Sequence, residues 1–136
     1  MNCFIDTSII IDLLKNKEEA KELLNPLLLD ESSELFINRL VVMETLRTIH
    51  FEHKKVFREA EKKLKLFRQV EIKPGVYNDA IDFSRFCHSK GVKLKGQCEA
   101  VDFLHFMTAK YYNLTMVSND TDFDKLEKVY IDFRSA

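Results

Sequence analysis

Short apolar runs alternate along this chain with longer segments in which apolar residues recur at helical spacing. The runs are too short for helices and are typical of strands that are buried on both faces. We expect strands over residues 2–5, 35–37, 70–72, 114–117 and 129–133. Strands that alternate with helices predict an α/β fold: a three-layer α/β/α sandwich whose central, mainly parallel sheet has about five strands.

The segments between the strands carry signals for helix ends. Pro26 is expected to end or kink the second helix, and Gly91 can end the fifth. We expect helices over residues 9–14, 18–29, 40–52, 54–69, 76–87 and 97–112, with a helical turn over 122–126.

The length of 136 residues predicts a single domain, residues 1–136, because two domains of half this length would each bury too little apolar surface. Hydrophobic residues make up 46% of the chain, with only three Gly and two Pro, which argues against a disordered protein. Asp6 and Asp12 interrupt the apolar N-terminal run, which also lacks a basic leader, so we expect a cytoplasmic protein without a signal peptide or membrane span. The three cysteines form no Cys-x-x-Cys pair, which favours reduced thiols in the core.

Several acidic residues lie in unusually apolar surroundings. Asp102 interrupts an otherwise apolar helical segment, Asp6 follows the first predicted strand, and Glu44 lies inside another apolar segment. An ionised carboxylate in such a setting loses several kcal/mol of hydration unless a cation, a proton or hydrogen bonds compensate it. A divalent metal is the simplest compensation that all of these acids could share.

The predicted topology places these acids near one edge of the sheet. Asp6, Asp120 and Asp122 lie at or just past the carboxyl ends of strands, where ligands bind in parallel sheets. Glu44 and Asp102 lie near the starts of helices and can face the same crevice. Oxygen ligands select Mg²⁺ or Mn²⁺, whose retained waters suit phosphodiester hydrolysis. The formal net charge of −1 includes these acids, so a metal that neutralised them would leave a basic remainder that tolerates a polyanion.

Each acid also has an ordinary structural explanation. Asp6 is a common residue type at a helix start, and the Asn-Asp-Thr-Asp segment around Asp120 is a common turn. Glu44 can pair with Arg47, one turn further along its helix. Asp122 is predicted to cap a helix or to support the site rather than to bind metal.

Two further features lie close to Asp102. His105 follows it by one helical turn and is expected to form a structural hydrogen bond. The loop that precedes Asp102 is basic and is a candidate contact for a nucleic-acid backbone. Its lysines are Lys90, Lys93 and Lys95.

Four segments together resemble the PIN-domain ribonucleases, in particular the stand-alone toxins of the VapC type. They are residues 4–10, 41–46, 102–109 and 114–123, and they occur in the family's order over nearly the whole chain. The resemblance implies a PIN-like fold and an endoribonuclease. It also implies a Mg²⁺ or Mn²⁺ site formed by the catalytic acids Asp6, Glu44, Asp102 and Asp120.

The resemblance further implies supporting residues and partners. Ser118 stands where the family usually has Thr beside the fourth acid, while Phe103 and Phe106 stand where Ala is common. Members often cut transfer or ribosomal RNA, commonly dimerise and are inhibited by a small antitoxin. We therefore expect RNA, an antitoxin and a second copy as partners. The residues expected to support the metal ligands are Thr7, Ser118, Asn119 and Asp122.

A non-catalytic module is the alternative to a toxin with endoribonuclease activity. It could be a receiver-like signalling domain that holds a metal, or an inactive PIN domain that binds RNA without turnover. A receiver domain needs an Asp that accepts a phosphoryl group after a middle strand. Residues 71–74, which read Glu-Ile-Lys-Pro, contain no Asp. The sequence therefore favours the metal-dependent endoribonuclease.

Overall fold

A parallel four-stranded sheet forms the centre of the computed structural model, which describes residues 1–96 and 98–136. The strands lie in the spatial order β3-β2-β1-β4, and every pairing is parallel. In the register, Phe4 of the central strand is opposite Phe36 on one side and Met116 on the other. The predicted α/β class with a parallel central sheet is confirmed. The strands are β1 (Asn2–Ile5), β2 (Glu34–Ile37), β3 (Arg68–Gln69) and β4 (Thr115–Val117).

Helices connect these strands, as the alternation predicts. They are α1 (Thr7–Leu14), α2 (Glu18–Leu29), α3 (Arg39–Leu46), α4 (Lys54–Leu64), α5 (Pro74–Ser89), α6 (Glu99–Tyr111) and α7 (Asp122–Ser135). Helix α2 continues through Pro26, so this proline does not end the helix. Helix α3 ends at Leu46 rather than at residue 52. Gln97, the predicted first residue of the sixth helix, lies outside the described residues.

The prediction of a fifth strand is wrong, because residues 129–133 belong to α7. Val129, Tyr130 and Phe133 pack against the buried cluster that contains Leu126, whereas Ile131 is 69% exposed. Positions 126, 129, 130 and 133 follow the helical pattern i, i+3, i+4, i+7, which places them on one helix face, while a strand would bury alternate residues. The third strand lies at residues 68–69 rather than 70–72.

Two apolar clusters hold the helices around the sheet. One contains the β1 residues Phe4 and Ile5, which are fully buried, as expected for a strand that is covered on both faces. The other contains Phe83 and Phe106, whose stacked rings join α5 to α6. Met116 of β4 packs against both clusters.

Cys3 and Cys87 are buried and free, but Cys98 is exposed rather than part of the core. Among the described residues, no helix combines the length and apolar character that crossing a membrane requires.

Candidate metal centre

Asp6 lies at the carboxyl end of β1, next to the end of β4. Its backbone N–H donates to the Val117 carbonyl at 3.0 Å, which extends the pairing of the two strands. Its carboxylate caps α1 by accepting from the Thr7 backbone N–H at 2.9 Å, and it also accepts from the hydroxyls of Ser8 at 3.1 Å and Ser118 at 2.8 Å. Asp6 therefore has the ordinary role of a helix cap, and these donors compensate its burial.

Glu44 reaches from α3 to the same region. Its Oε1 accepts from the Thr7 hydroxyl at 2.7 Å and lies 2.8 Å from His105 Nε2. Among residues 1–96 and 98–136, the ion pair with Arg47, which was the ordinary structural alternative for Glu44, does not form. Burial disfavours the charged carboxylate, but the hydrogen bonds from His105 and Thr7 outweigh it and lower the pKa of Glu44.

Asp102 lies in the first turn of α6, and its pKa is shifted in the opposite direction to that of Glu44. Burial raises the pKa of Asp102 to about 7, with further contributions from the Asp6, Asp120 and Glu44 carboxylates. Gly96 allows the preceding loop to approach this side chain, because a Cβ at position 96 would lie 2.6 Å from Asp102 Oδ2. The loop and the neighbouring acids thus enclose a carboxyl group that needs a proton or a cation.

Asp120 and Asp122 complete the cluster. One carboxylate oxygen from each of Asp102, Asp120 and Asp122 lies within 4.8 Å of the others. Ser118 links this group to Asp6, because its hydroxyl donates to Asp6 and accepts from the Asp120 backbone N–H at 3.0 Å. The structure therefore brings together acids from the end of β1, the first turn of α6 and the segment that follows β4.

Asp122, which the sequence predicts to cap a helix or to support the site, is the first residue of α7 and lies beside Asp102 and Asp120. It is 1% exposed, and its Oδ2 accepts from the backbone N–H groups of Lys95 at 2.7 Å and Gly96 at 3.3 Å. In the described part of the chain its Oδ1 has no hydrogen-bond partner, and Lys125 Nζ lies 3.9 Å away. A buried, under-satisfied carboxylate oxygen beside two other carboxylates fits a hard divalent cation such as Mg²⁺ or Mn²⁺.

The remaining residues predicted for the site lie around this cluster. Thr7 and Ser118 hydrogen-bond to acids, as described above, whereas Asn119 is exposed and makes no side-chain hydrogen bond within the described ranges. Lys93 and Lys95 are exposed on the loop that Asp122 holds, and Lys125 Nζ also binds this loop at the Lys93 carbonyl, at 2.9 Å. Lys90 lies at the end of α5, with its Nζ 5.4 Å from the centre of the Phe86 ring.

Two residues at the site were missed at the level of sequence. Gly96, one of only three glycines in the chain, directly precedes the predicted apolar helix, and this position was the available signal. Asn38, which caps α3, was not among the predicted site residues, yet its amide also contacts His105. Asn38 and His105 are 67 residues apart in the sequence, so only the folded chain brings them together.

The fold is thus a parallel α/β domain in which carboxylates gather at the carboxyl ends of β1 and β4, the edge of such a sheet where ligands bind. The chain belongs to the PIN domain family, whose sequence model matches residues 3–129. PIN domains are nucleases, so the protein belongs to a family of phosphodiester hydrolases. The resemblance that the sequence motifs indicated is thereby confirmed.

Solved structures share the fold at low sequence identity. VapBC2 from Rickettsia felis, bound to a DNA fragment from the promoter, aligns with a TM-score of 0.78 and 16% identity over 93% of both chains. FitAcB from Neisseria gonorrhoeae aligns with a TM-score of 0.73 and 22% identity over 93% of this chain and 94% of the other. A toxin–antitoxin complex from Klebsiella pneumoniae aligns with a TM-score of 0.64 and 19% identity over 88% of this chain and 87% of the other. No curated protein matches the sequence significantly.

Proposed function

We propose that the protein is a Mg²⁺- or Mn²⁺-dependent endoribonuclease. The observation that carries the proposal is the cluster of Asp102, Asp120 and Asp122, whose carboxylate oxygens lie within 4.8 Å of one another in a nuclease fold. Like charges at this distance repel unless a cation lies among them. Burial, and then the Asp6 and Asp120 carboxylates, raise the pKa of Asp102, so this carboxyl group also needs a proton or a cation.

The proposed ligands are Asp6, Glu44, Asp102 and Asp120, and we add Asp122 because of its unsatisfied oxygen. A bound Mg²⁺ or Mn²⁺ would supply activation of water and stabilisation of the negative charge that develops at phosphorus. Thr7 and Ser118 hold the Glu44 and Asp6 carboxylates by hydrogen bonds. Asp102 must release its proton before it can bind a cation, whereas Glu44 is held in the charged form.

The loop that carries Lys93 and Lys95 is proposed to contact the RNA backbone. Asp122 accepts from the Lys95 and Gly96 backbone N–H groups, so this loop and the acid cluster are held together. Exposed ammonium groups beside a dication site would attract the phosphates that flank the bond to be cut. Lys90 is included from the sequence, and it is an exposed residue at the end of α5.

We further propose that the protein is the toxin of a toxin–antitoxin pair and acts on cytoplasmic RNA. The fold recurs in VapBC2 and in the toxin–antitoxin complex from Klebsiella pneumoniae, which supports this proposal. A small antitoxin is the proposed inhibitor, and a second copy of the chain is the proposed partner in a homodimer. Co-expression with the product of an adjacent short reading frame tests the antitoxin, since growth arrest on induction should be relieved.

The decisive experiment is cleavage of total RNA by the purified protein in Mn²⁺. We expect wild-type protein to produce discrete cut ends, and we expect Asp102→Asn or a chelator to abolish them. Asp79→Asn, which alters an exposed acid on α5, is the matched control and should cleave normally. Full activity of folded Asp102→Asn would remove the acid cluster from the mechanism. RNA binding without cleavage by the wild-type protein would instead support the inactive, RNA-binding alternative.

A further inference from the structure

We propose that His105 is a positioning residue for Glu44, and that Asn38 determines which ring nitrogen of His105 carries the proton. In this arrangement His105 Nε2–H holds one oxygen of Glu44 and leaves the other available to a cation. The inference rests on the proposed function, because it gives Glu44 a place among the metal ligands.

The orientation of the Asn38 amide is fixed by a helix cap. Asn38 is fully buried, and its Oδ1 accepts from the Val41 backbone N–H at 2.9 Å at the start of α3. Its Nδ2, which can only donate, therefore faces His105 Nδ1 at 3.3 Å and the Thr108 hydroxyl at 3.5 Å. The Thr108 hydroxyl donates to the Leu104 carbonyl at 2.7 Å, so its lone pairs are free to accept. His105 Nδ1 must then be an acceptor, and the ring proton lies on Nε2.

The proton on Nε2 points to Glu44. The distance from His105 Nε2 to Glu44 Oε1 is 2.8 Å, and the Thr7 hydroxyl donates to the same oxygen at 2.7 Å. Within the described parts of the chain, Glu44 Oε2 accepts no hydrogen bond. His105 is 1% exposed, so water cannot readily replace its N–H if the ring is removed.

This network joins the segments that carry the candidate ligands. Thr7 follows Asp6 at the start of α1, Glu44 lies on α3, and His105 lies one turn after Asp102 on α6. A histidine that only stabilised the core would affect folding but not the direction of the Glu44 carboxylate. A positioning histidine must also affect cation binding, because groups that hydrogen-bond to ligands typically contribute about tenfold to 100-fold in metal affinity.

The tautomer is measured directly by ¹⁵N NMR of the metal-free protein labelled at histidine. We expect His105 to show a protonated Nε2 and an unprotonated Nδ1. This measurement needs no variant, so it does not depend on the stability of a substituted protein. A proton on Nδ1 and none on Nε2 would overturn the proposal, because Nε2 could then not donate to Glu44.

Cation binding is measured by titration with Mn²⁺ alone, followed by its paramagnetic resonance spectrum. We expect His105→Leu to lower the affinity about tenfold to 100-fold, and His105→Gln to restore most of it because Gln keeps an N–H donor. Phe106→Leu is the control, since it alters a buried residue of α6 outside the acid site and should reduce stability without changing Mn²⁺ affinity. Wild-type affinity in folded His105→Leu would overturn the proposal.

The two proposals fail in different ways. If wild-type protein binds no Mn²⁺, or if Glu44→Gln binds it as tightly as wild type, Glu44 is not a ligand and both the positioning role and the proposed ligand set are overturned. If Mn²⁺ binding and RNA cleavage are intact but His105→Leu changes neither, only the positioning role is overturned.

Discussion

Gly96 lies so close to Asp102 that a Cβ at position 96 would be 2.6 Å from Asp102 Oδ2. The contact joins the loop that Asp122 holds to the first turn of α6. It therefore limits which residue can occupy position 96 if the Asp102 carboxylate keeps its place.

The first prediction concerns this contact. Gly96→Ala should displace the Asp102 carboxylate and lower Mn²⁺ affinity about tenfold, the lower end of the range for groups that orient a ligand. Gly91→Ala is the matched control: Gly91 has φ of +71°, and no atom of the described residues lies within 4 Å of an added Cβ. It should cost about 1–2 kcal/mol of stability, because a residue with a Cβ disfavours this left-handed conformation, and it should leave Mn²⁺ binding unchanged. Equal Mn²⁺ affinities in the two variants would contradict the prediction.

The second prediction concerns pH. Burial, and then the Asp6 carboxylate, raise the pKa of Asp102 from 3.8 to about 7, so the metal-free folded protein binds this proton more tightly than the unfolded chain. This stabilisation is fully present below the ordinary pKa and is lost as the pH rises through about 7. The free energy of unfolding of wild type minus that of Asp102→Asn, measured with urea and chelator, should therefore fall over this range. The subtraction removes the opposite effect of Glu44, whose lowered pKa gives stability that is lost as the pH falls. A pH-independent difference would be inconsistent with a raised pKa.

The third prediction concerns Ser118, which joins Asp6 to Asp120. Its hydroxyl donates to Asp6 Oδ2 at 2.8 Å and accepts from the Asp120 backbone N–H at 3.0 Å. Ser118→Ala should lower the free energy of unfolding by about 1–3 kcal/mol, because it removes a donor to a charged group. Ser118→Thr keeps the hydroxyl, so its free energy of unfolding should fall much less. Urea denaturation compares the two, and equal losses would show that the hydroxyl is unimportant.

The fourth prediction tests the helical state of residues 129–133. Leu126→Ala, at a fully buried position of α7, should cost about 2–5 kcal/mol. Ile131 points to solvent on the same helix and is 69% exposed, so Ile131→Ala should change stability by no more than about 0.5 kcal/mol. A large loss at Ile131 in urea denaturation would indicate that the segment packs as a strand.

The fifth prediction concerns the proposed RNA contact. In Asp102→Asn protein, which should bind without cutting, Lys93→Gln and Lys95→Gln should weaken binding of single-stranded RNA. Each should reduce the slope of log affinity against log salt by about 0.7, the value for one phosphate contact. Lys128→Gln, an exposed lysine on α7, is the control and should leave the slope unchanged. An unchanged slope for the loop variants would remove the loop from the RNA interface.

Much of the fold could be predicted from the sequence because its signals are local. The runs that became β1, β2 and β4 are short, apolar and separated by helical periodicity, and this pattern decides a parallel α/β arrangement. Residues 129–133 were misassigned because a short run rich in apolar residues fits both periodicities. The spacing of Leu126, Val129, Tyr130 and Phe133 becomes decisive only when the packed face is known.

The alternation of elements, and the acidic residues that follow strands or start helices, can be recognised from the order of amino acids alone. The folded chain was needed to show that oxygens of Asp122, Asp102 and Asp120 lie within 4.8 Å of one another, and that Glu44 bonds to His105 rather than to Arg47. Periodicity and caps arise from neighbouring residues, so a sequence records them directly. Contacts such as that between Glu44 and His105, 61 residues apart, depend on how whole helices and loops pack, because a shift of one ångström is enough to make or break a hydrogen bond.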